Sequence, residues 1–283
     1  MLTEINTAPP QAETPWALVT RAVTDMRRTP DDAAERVSQA RLGEAVRVLE
    51  ERDGWAFVQT THDGYLGWLH QAALWRGDAA VVQDYLAACA VWVKAPLARL
   101  TAAPAADATL LGKLPLGVTL PSAGAADGFT AVTLPDGRVG YAPTGEVAPL
   151  CERPTPDAAG IAAALALIRE QIGVPYLWGG RTPFGFDCSG LAQTFYGLLG
   201  VRIPRDANQQ FQAGQPVTGM PEAGDLYFFG ETRVTHVGIA LGDDGFIHST
   251  GRTWCVTINH FAPDAPDYNA WLHTHCLGVR RFR

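Results

Sequence analysis

The stretch "YLWGGRTPFGFDCSGL", residues 176–191, predicts a glycine-rich loop that leads into a helix beginning near Cys188. Beyond the cysteine, Leu191, Ala192 and Phe195 follow the i, i+3, i+4 spacing of an amphipathic helix that packs on a core. Cysteine is among the residue types most often buried, so this spacing fits a core residue as well as a nucleophile. The residues around Cys188 have to decide between the two interpretations.

The position of Cys188 at a helix start favours a chemical role. Asp187 is a candidate N-cap, which puts Cys188 in the first helical turn. The partial positive charge of a helix N-terminus stabilises a thiolate, so we expect the thiol pKa to lie below its usual ~8.5. A nucleophile also needs a base, and the base needs a group that orients it.

Two histidines are candidates for those two groups. His236 in "THVGIALG" and His248 in "GFIHST" lie in short apolar runs that predict neighbouring strands. A hairpin turn centred on "GDDG" (242–245) would set Ile239 opposite His248 and place the two imidazoles on opposite faces. Both reach one site only if the loop has an odd number of residues or a bulge is present. We therefore predict a register shift of one residue at this turn.

The N-terminal half contains an internal repeat. A Leu-Gly pair precedes "DGWAFV" (53–58) and "DGFTAV" (127–132) by the same interval, and a further Asp-Gly follows in "DGYLGW" (63–68) and "DGRVGY" (136–141). Asp-Gly between alternating apolar runs is a strong signal for a hairpin with a primed turn. The repeat predicts two small all-β barrels.

The region after the repeat reads as a helical half followed by short strands, which predicts an α+β domain. The proline-rich segment from Cys151 marks the boundary. We expect an N-terminal arm at 1–16, barrels at 17–76 and 77–150, and the α+β domain at 151–283.

Charge and composition exclude several classes of partner. A net charge of −7 argues against binding of nucleic acid or anionic membranes. Five widely spaced cysteines without a CxxC pair indicate neither a disulfide framework nor a metal site, so we expect no metal and no cofactor. The N-terminus has no basic-then-apolar signal pattern, and no 18-residue apolar run occurs. We expect a monomeric cytoplasmic protein.

Four motifs together resemble the NlpC/P60 cysteine peptidase family: residues 176–191, "RIPRDANQQ" (202–210), "THVGIAL" (235–241) and "FIHST" (246–250). The resemblance implies a papain-like fold, with a nucleophile at a helix start that packs on an antiparallel sheet. It also implies cleavage of bacterial cell-wall peptides, typically after the γ-carboxyl of D-glutamate.

The resemblance assigns roles residue by residue. It implies that Cys188 is the nucleophile, His236 the base and His248 the orienting group. It implies that the Tyr176 hydroxyl helps the backbone N–H of Cys188 to hold the oxyanion. Asp187 and Ser189 are candidates for contacts with the substrate, and their alternative roles are those of an N-cap and a first-turn residue.

The Asp-Gly repeats resemble bacterial SH3 (SH3b) domains. Two such domains before an NlpC/P60 domain is the layout of the γ-D-glutamyl-L-diamino-acid endopeptidases. The resemblance implies that acidic and tyrosine groups of the first SH3b domain bind the free amine of an N-terminal L-Ala. Glu44 and Tyr65 are the candidates, because Val118 and Arg138 replace them in the second repeat. A solvated surface charge and an edge aromatic are the alternative roles.

The segment after the nucleophile helix offers further candidates. By the same resemblance, Asp206 is a second acidic partner for the amine. Arg205 is a candidate partner for the substrate α-carboxylate, although an ordinary salt bridge is equally available to it. A serine often follows the aspartate in this group, and Ala207 occupies that place here, which removes one donor.

These observations predict a cytoplasmic cysteine peptidase that acts on free murein tripeptides and releases L-Ala-D-Glu. A secreted D,L-endopeptidase on intact peptidoglycan is an alternative in the same class. A non-catalytic module, in which the barrels bind cell wall, is disfavoured because Cys188, His236 and His248 are all present. The sequence leaves open whether the third substrate residue is diaminopimelate or lysine.

Overall fold

The computed structural model describes residues 15–282, so the predicted arm at 1–16 lies outside the described residues except for its last two. The chain divides into two compact units. The first covers most of the chain up to residue 147. The second covers the chain from residue 148 onward, together with Val93–Leu97 and Pro115–Gly117. The limits of the individual domains stay predictions.

The first unit begins with an antiparallel sheet that has seven strands among the described residues. Its strands are β1 (Trp16–Val19), β2 (Val23–Arg27), β3 (Arg36–Arg41), β4 (Ala45–Arg52), β5 (Trp55–Thr60), β6 (Leu66–His70) and β7 (Leu74–Gly77). They are ordered β3-β2-β6-β5-β4-β1-β7. Small and branched apolar side chains fill its core, among them Ala17, Val46 and Leu69.

A helix, α1 (Ala79–Ala87), leads from this sheet to a second one. The strands of the second sheet are β8 (Cys89–Val93), β9 (Leu97–Thr101), β10 (Leu110–Pro115), β11 (Thr119–Ala126), β12 (Phe129–Thr133), β13 (Val139–Pro143) and β14 (Val147–Pro149). Their order, β10-β9-β13-β12-β11-β8-β14, repeats the first sheet strand for strand. The internal repeat of the sequence is therefore also a repeat of topology.

The Asp-Gly turns explain why the repeat was visible in the sequence. Asp53 and Gly54 have φ of 49° and 82°, and Asp127 and Gly128 have φ of 52° and 80°, as a primed two-residue turn requires. The predicted closure into barrels is wrong for the described strands, whose order runs from one edge strand to the other. Turn signals fix neighbouring strands, whereas closure depends on strands that are distant in sequence.

The second unit is the predicted α+β domain. Its helices are α2 (Ala158–Arg169), α3 (Cys188–Leu198), α4 (Ala207–Ala213) and α5 (Ala270–Thr274). A short hairpin, β15 (Arg181–Thr182) and β16 (Gly185–Phe186), precedes α3. The main sheet contains β17 (Gln215–Pro216), β18 (Leu226–Phe229), β19 (His236–Ala240), β20 (Gly245–Thr250), β21 (Cys255–His260) and β22 (Cys276–Arg281). Its antiparallel order is β17-β22-β18-β19-β20-β21.

Helix α3 lies on this sheet through the apolar face that the sequence predicted. Leu191, Ala192 and Phe195 are fully buried, and α3 packs against β19 and β20. Its first residue is therefore held beside the strands that carry the two histidines. None of the helices found between residues 15 and 282 is long and apolar enough to cross a membrane.

Candidate active site

The two predicted histidines lie on one face of the sheet because of the turn between their strands. Ile239 pairs with Ile247, and the Leu241 N–H donates to the Gly245 carbonyl at 3.0 Å, so three residues form the loop. This confirms the predicted register shift. Since opposite residues share a face, the odd loop turns His236 and His248 to the same side of the sheet.

The imidazoles of His236 and His248 are hydrogen-bonded to each other. His236 Nε2 lies 2.6 Å from His248 Nδ1, and the ring centroids are 4.9 Å apart at an interplanar angle of 72°. Burial beside His248 holds the pKa of His236 well below its usual value, and burial lowers the pKa of His248 to about 4. Both rings are therefore neutral at physiological pH.

Cys188 is the first residue of α3, and its thiol is partly buried. Helix α3 packs against β19, and the backbone N–H of Val237, the residue after His236, is near enough to the Cys188 thiol to favour its thiolate. Burial, reinforced by the adjacent Asp187 carboxylate, raises the pKa of the Cys188 thiol to about 12. The direction is opposite to the lowering that we expected from the helix N-terminus, because burial disfavours the charged thiolate.

Asp187 and Arg205 form a buried ion pair next to Cys188. The two Arg205 terminal nitrogens donate to the two Asp187 oxygens at 3.0 and 2.7 Å, and Asp187 also accepts from the backbone N–H groups of Gly179 and Gly190. Ser189 Oγ accepts from Arg205 Nη1 at 2.8 Å. The predicted N-cap at Asp187 is thus present, and it is also the anchor of a charge network.

This network gives Arg205 a partner within the fold. Its side chain is 1% exposed, and its guanidinium pairs with the Asp187 carboxylate. The physical reason is that a buried guanidinium must be paired, and Asp187 is the partner that the fold supplies. A contact of Arg205 with the substrate α-carboxylate stays a prediction. The polar groups of Asp187 and Ser189 also belong to the network, so contacts of these two residues with a substrate stay predictions.

Tyr176 lies beside the start of α3. It bridges to Phe186, and its backbone N–H donates to the Trp254 carbonyl at 2.8 Å. Burial next to Cys188 and Asp187 raises the pKa of the Tyr176 hydroxyl, so this group remains a hydrogen-bond donor. The arrangement is compatible with the predicted oxyanion role.

The residues predicted to bind the substrate amine have structural contacts of their own. Asp206 caps α4 in a capping box with Gln209. In the first unit, Glu44 accepts from the backbone N–H and the Nε of Arg41 at 3.0 and 2.9 Å, and Tyr65 packs against the core of the first sheet. Their recognition of an amine stays a prediction.

One polar residue of this region was missed by the sequence reasoning. Asn259 Oδ1 lies 2.8 Å from His248 Nε2, and Asn259 Nδ2 donates to the backbone carbonyl of Asp267. Asn259 belongs to β21, which no sequence signal had identified as a strand. The alternation of "VTIN" (256–259) beside a predicted strand was the signal that could have found it.

Among residues 15–282, a group with the spacing of a metal site consists of Asp243, Asp244 and His260, whose ligand atoms lie within 4.8 Å of one another. The two carboxylates are exposed and accept from backbone N–H groups, Asp243 from Gly245 and Asp244 from Ala262. The two carboxylates stabilise the turn between β19 and β20. This turn follows the C-terminal end of β19, whereas His236 begins the strand.

The cysteine at a helix start, the antiparallel sheet and the two bonded histidines define a papain-like α+β domain. Residues 173–273 match the NlpC/P60 family, and residues 26–74 match the bacterial dipeptidyl-peptidase SH3 domain. Residues 173–273 are therefore an NlpC/P60 peptidase domain, and residues 26–74 are an SH3 domain of the dipeptidyl-peptidase type. The second sheet shares the topology of the sheet that the SH3 match covers.

Individual relatives agree with this assignment. Dipeptidyl-peptidase 6 of Lysinibacillus sphaericus is 27% identical over 93% of this chain and 98% of its own length. The γ-D-glutamyl-L-lysine dipeptidyl-peptidase of Bacillus subtilis is 44% identical over 29% of this chain, which spans 30% of the relative. The crystal structure of an NlpC/P60 family protein from Bacillus cereus has the same fold, with a TM-score of 0.80 at 23% identity over 94% of this chain and 99% of that chain.

Proposed function

We propose that this protein is a cysteine peptidase that hydrolyses the γ-D-glutamyl-L-diamino acid bond of free murein peptides and releases L-Ala-D-Glu. The observation that carries the proposal is that α3, which begins at Cys188, packs against β19, where His236 is hydrogen-bonded to His248. The choice of bond is supported by the Bacillus subtilis relative, whose name states a γ-D-glutamyl-L-lysine dipeptidyl-peptidase.

Acylation starts from a neutral thiol and a neutral imidazole. The Cys188 proton passes to His236 as the sulfur attacks the γ-amide carbonyl and the carbon–sulfur bond forms. The developing oxyanion accepts from the backbone N–H of Cys188, which has no partner within the helix, and from the Tyr176 hydroxyl. The carbon–nitrogen bond then breaks, and His236 returns the proton to the leaving amine of the diamino acid.

Deacylation uses the same imidazole. His236 takes a proton from water, the hydroxide oxygen attacks the thioester carbonyl, and the carbon–sulfur bond breaks. The proton returns to the sulfur, which restores the thiol. The products are L-Ala-D-Glu with a free γ-carboxylate and the L-diamino acid with a free amine.

The specificity for a free N-terminus is assigned to Glu44 and Tyr65 of the SH3 domain, with Asp206 as a second acidic group. Binding an ammonium out of water is costly unless it is paired, so an acetylated substrate should bind poorly. The murein tripeptide is the proposed partner, the protein is proposed to act as a monomer, and its proposed location is the cytoplasm, where peptides for recycling would be free.

The test is hydrolysis of L-Ala-γ-D-Glu-L-Lys and of its diaminopimelate analogue, each with a free and an acetylated amine. The wild type, Cys188→Ala and the control Cys151→Ala, which removes an exposed cysteine, are compared by mass spectrometry. We expect L-Ala-D-Glu from free-amine substrates with wild type and Cys151→Ala only. If Cys188→Ala retained activity, the assignment of Cys188 as the nucleophile would be contradicted.

The acetylated substrates test the finer part of the proposal. Glu44→Gln should weaken binding of the free-amine substrate, whereas Glu50→Gln, at an exposed ion pair of the same sheet, should not. Equal cleavage of free and acetylated peptides would contradict amine recognition and favour the D,L-endopeptidase alternative on intact peptidoglycan.

A further inference from the structure

The polar chain at the candidate active site continues beyond the second histidine. His248, which is 1% exposed, has Asn259 Oδ1 at 2.8 Å from its Nε2. The amide nitrogen of Asn259 bonds in turn to the backbone carbonyl of Asp267. Four groups are thus joined in series, from a main-chain carbonyl to the base that the proposed function assigns.

This series has only one consistent direction of hydrogen bonding. A backbone carbonyl can only accept, so the Asn259 amide must present its NH₂ to Asp267 and its oxygen to His248. An amide oxygen also can only accept, so His248 carries its proton on Nε2 and leaves Nδ1 as an acceptor.

The direction then passes to the base. Because His248 Nδ1 is an acceptor, His236 must donate to it from Nε2 across the 2.6 Å contact. A neutral imidazole has one N–H, so His236 Nδ1 keeps its lone pair. Nδ1 is the ring nitrogen closer to the backbone of its own residue. Helix α3, which begins at Cys188, packs against β19, which begins at His236, so we place the Cys188 thiol on the Nδ1 side of the ring.

We infer that Asn259, held by the Asp267 carbonyl, is a positioning residue that sets the tautomers of both histidines and thereby leaves His236 Nδ1 free to accept the Cys188 proton. The inference rests on the proposed function for the direction of that proton transfer. Asn259 does not touch the reacting atoms and acts through His248.

Removal of Asn259 should reverse the direction of the hydrogen bond between the two imidazoles. In Asn259→Leu, a proton on His248 Nε2 would face an apolar side chain, and a buried unpaired N–H costs about 1–3 kcal/mol. The alternative tautomer, with the proton on His248 Nδ1, bonds to His236 Nε2 instead. His236 must then carry its proton on Nδ1, where it blocks transfer from Cys188.

The test combines a spectroscopic and a kinetic readout. Long-range proton–nitrogen correlation spectra of protein labelled with ¹⁵N-histidine report which ring nitrogen is protonated, and His236→Gln and His248→Gln spectra assign the signals. Thr257 lies in β21, as Asn259 does, and pairs directly with His248 of β20. Thr257→Val is therefore the matched control. The spectra need no substrate, so they remain informative if the proposed reaction fails.

Wild type and Thr257→Val should show both imidazoles protonated on Nε2. Asn259→Leu should populate Nδ1–H on both rings. It should also lower kcat by about 10- to 100-fold, the range found when a residue that orients a functional histidine is removed. KM should stay within about twofold of the wild-type value. The inference is overturned if Asn259→Leu keeps the wild-type tautomers, whether or not kcat falls. It is also overturned if the tautomers change while kcat does not.

Discussion

The two sides of the candidate site are held by opposite kinds of polar contact. On the helix side, Asp187 and Arg205 form a buried ion pair next to Cys188. On the strand side, His236, His248 and Asn259 are joined by hydrogen bonds between uncharged groups. The difference separates two tasks: the charged side fixes the helix start, and the neutral side can accept and return a proton.

Both sides depend on burial, with different consequences. Burial of a paired carboxylate and guanidinium makes each one indispensable to the other, because an unpaired charge in that position is costly. Burial of two imidazoles instead keeps them uncharged, which makes the position of each proton decisive. Four measurements test the difference between the two sides.

The largest expected effect concerns the reactivity of Cys188. Burial raises the pKa of its thiol to about 12, and the pKa of His236 lies well below its usual value, so a thiolate is scarce at neutral pH. Alkylation by iodoacetamide should rise about tenfold per pH unit, or about 1,000-fold between pH 6 and pH 9. Mass spectrometry of the Cys188 peptide measures the rate.

The exposed Cys151 in the same digest serves as an internal reference for the reagent. A Cys188 rate that is already constant from pH 5 upward would indicate a thiolate–imidazolium pair. That result would contradict uncharged imidazoles at His236 and His248.

The second prediction concerns loss of the ion pair between Asp187 and Arg205. Arg205→Met leaves Asp187 buried without its partner and should lower the free energy of unfolding by about 3–5 kcal/mol. Urea denaturation measures the loss. The exposed Arg202 provides the control Arg202→Met, which should cost less than about 0.5 kcal/mol. The double variant Asp187→Asn/Arg205→Met should recover part of the stability, and no recovery would count against the ion pair as the cause.

The third effect tests the neutral side by pH. Burial lowers the pKa of His248 from 6.5 to about 4, so the unfolded chain binds a proton in this interval while the folded chain does not. The contribution is therefore complete above about pH 6.5 and is lost as the pH falls toward 4, on the order of 3 kcal/mol. Urea titrations of wild type and His248→Gln measure it. Their difference in stability should narrow from pH 7 to pH 4, and a difference independent of pH would argue against a buried neutral imidazole.

The smallest effect concerns the close packing that brings α3 to its loop. A Cβ at Gly190 would lie 2.0 Å from the Gly180 carbonyl oxygen, so Gly190→Ala should cost about 1–3 kcal/mol. Gly197 in the same helix has no heavy atom within 4 Å of that position, and Gly197→Ala should stabilise by about 0.5–1 kcal/mol. Thermal unfolding compares the two variants. Equal melting temperatures would show that the helix start is not packed this closely.

The sequence predicted the parts of the site that depend on local pattern. The N-cap at Asp187, the apolar face of α3 and the register shift between His236 and His248 all follow from spacing and turn chemistry. Each of these features is decided by residues close together in the chain.

The parts that were missed or wrong depend on distant packing. The partner of Arg205 is 18 residues away, and no local signal distinguishes a buried ion pair from a surface one. The direction of the thiol pKa shift was misjudged because the helix position of Cys188 was visible in the sequence, whereas the desolvation of its thiol was not. Asn259 was missed because β21 had not been identified as a strand.

Because the turn Gly242–Asp244 has three residues, the number of positions between the two histidines shows whether they share a face of the sheet. His236 and His248 are 12 positions apart, and that even separation matches an odd turn. A homologue with one residue more or one fewer between the two histidines needs a compensating bulge. Without the bulge, the two imidazoles would lie on opposite faces of the sheet. An odd separation can therefore reveal, from sequence alone, a homologue that retains both histidines and cannot bond them to each other.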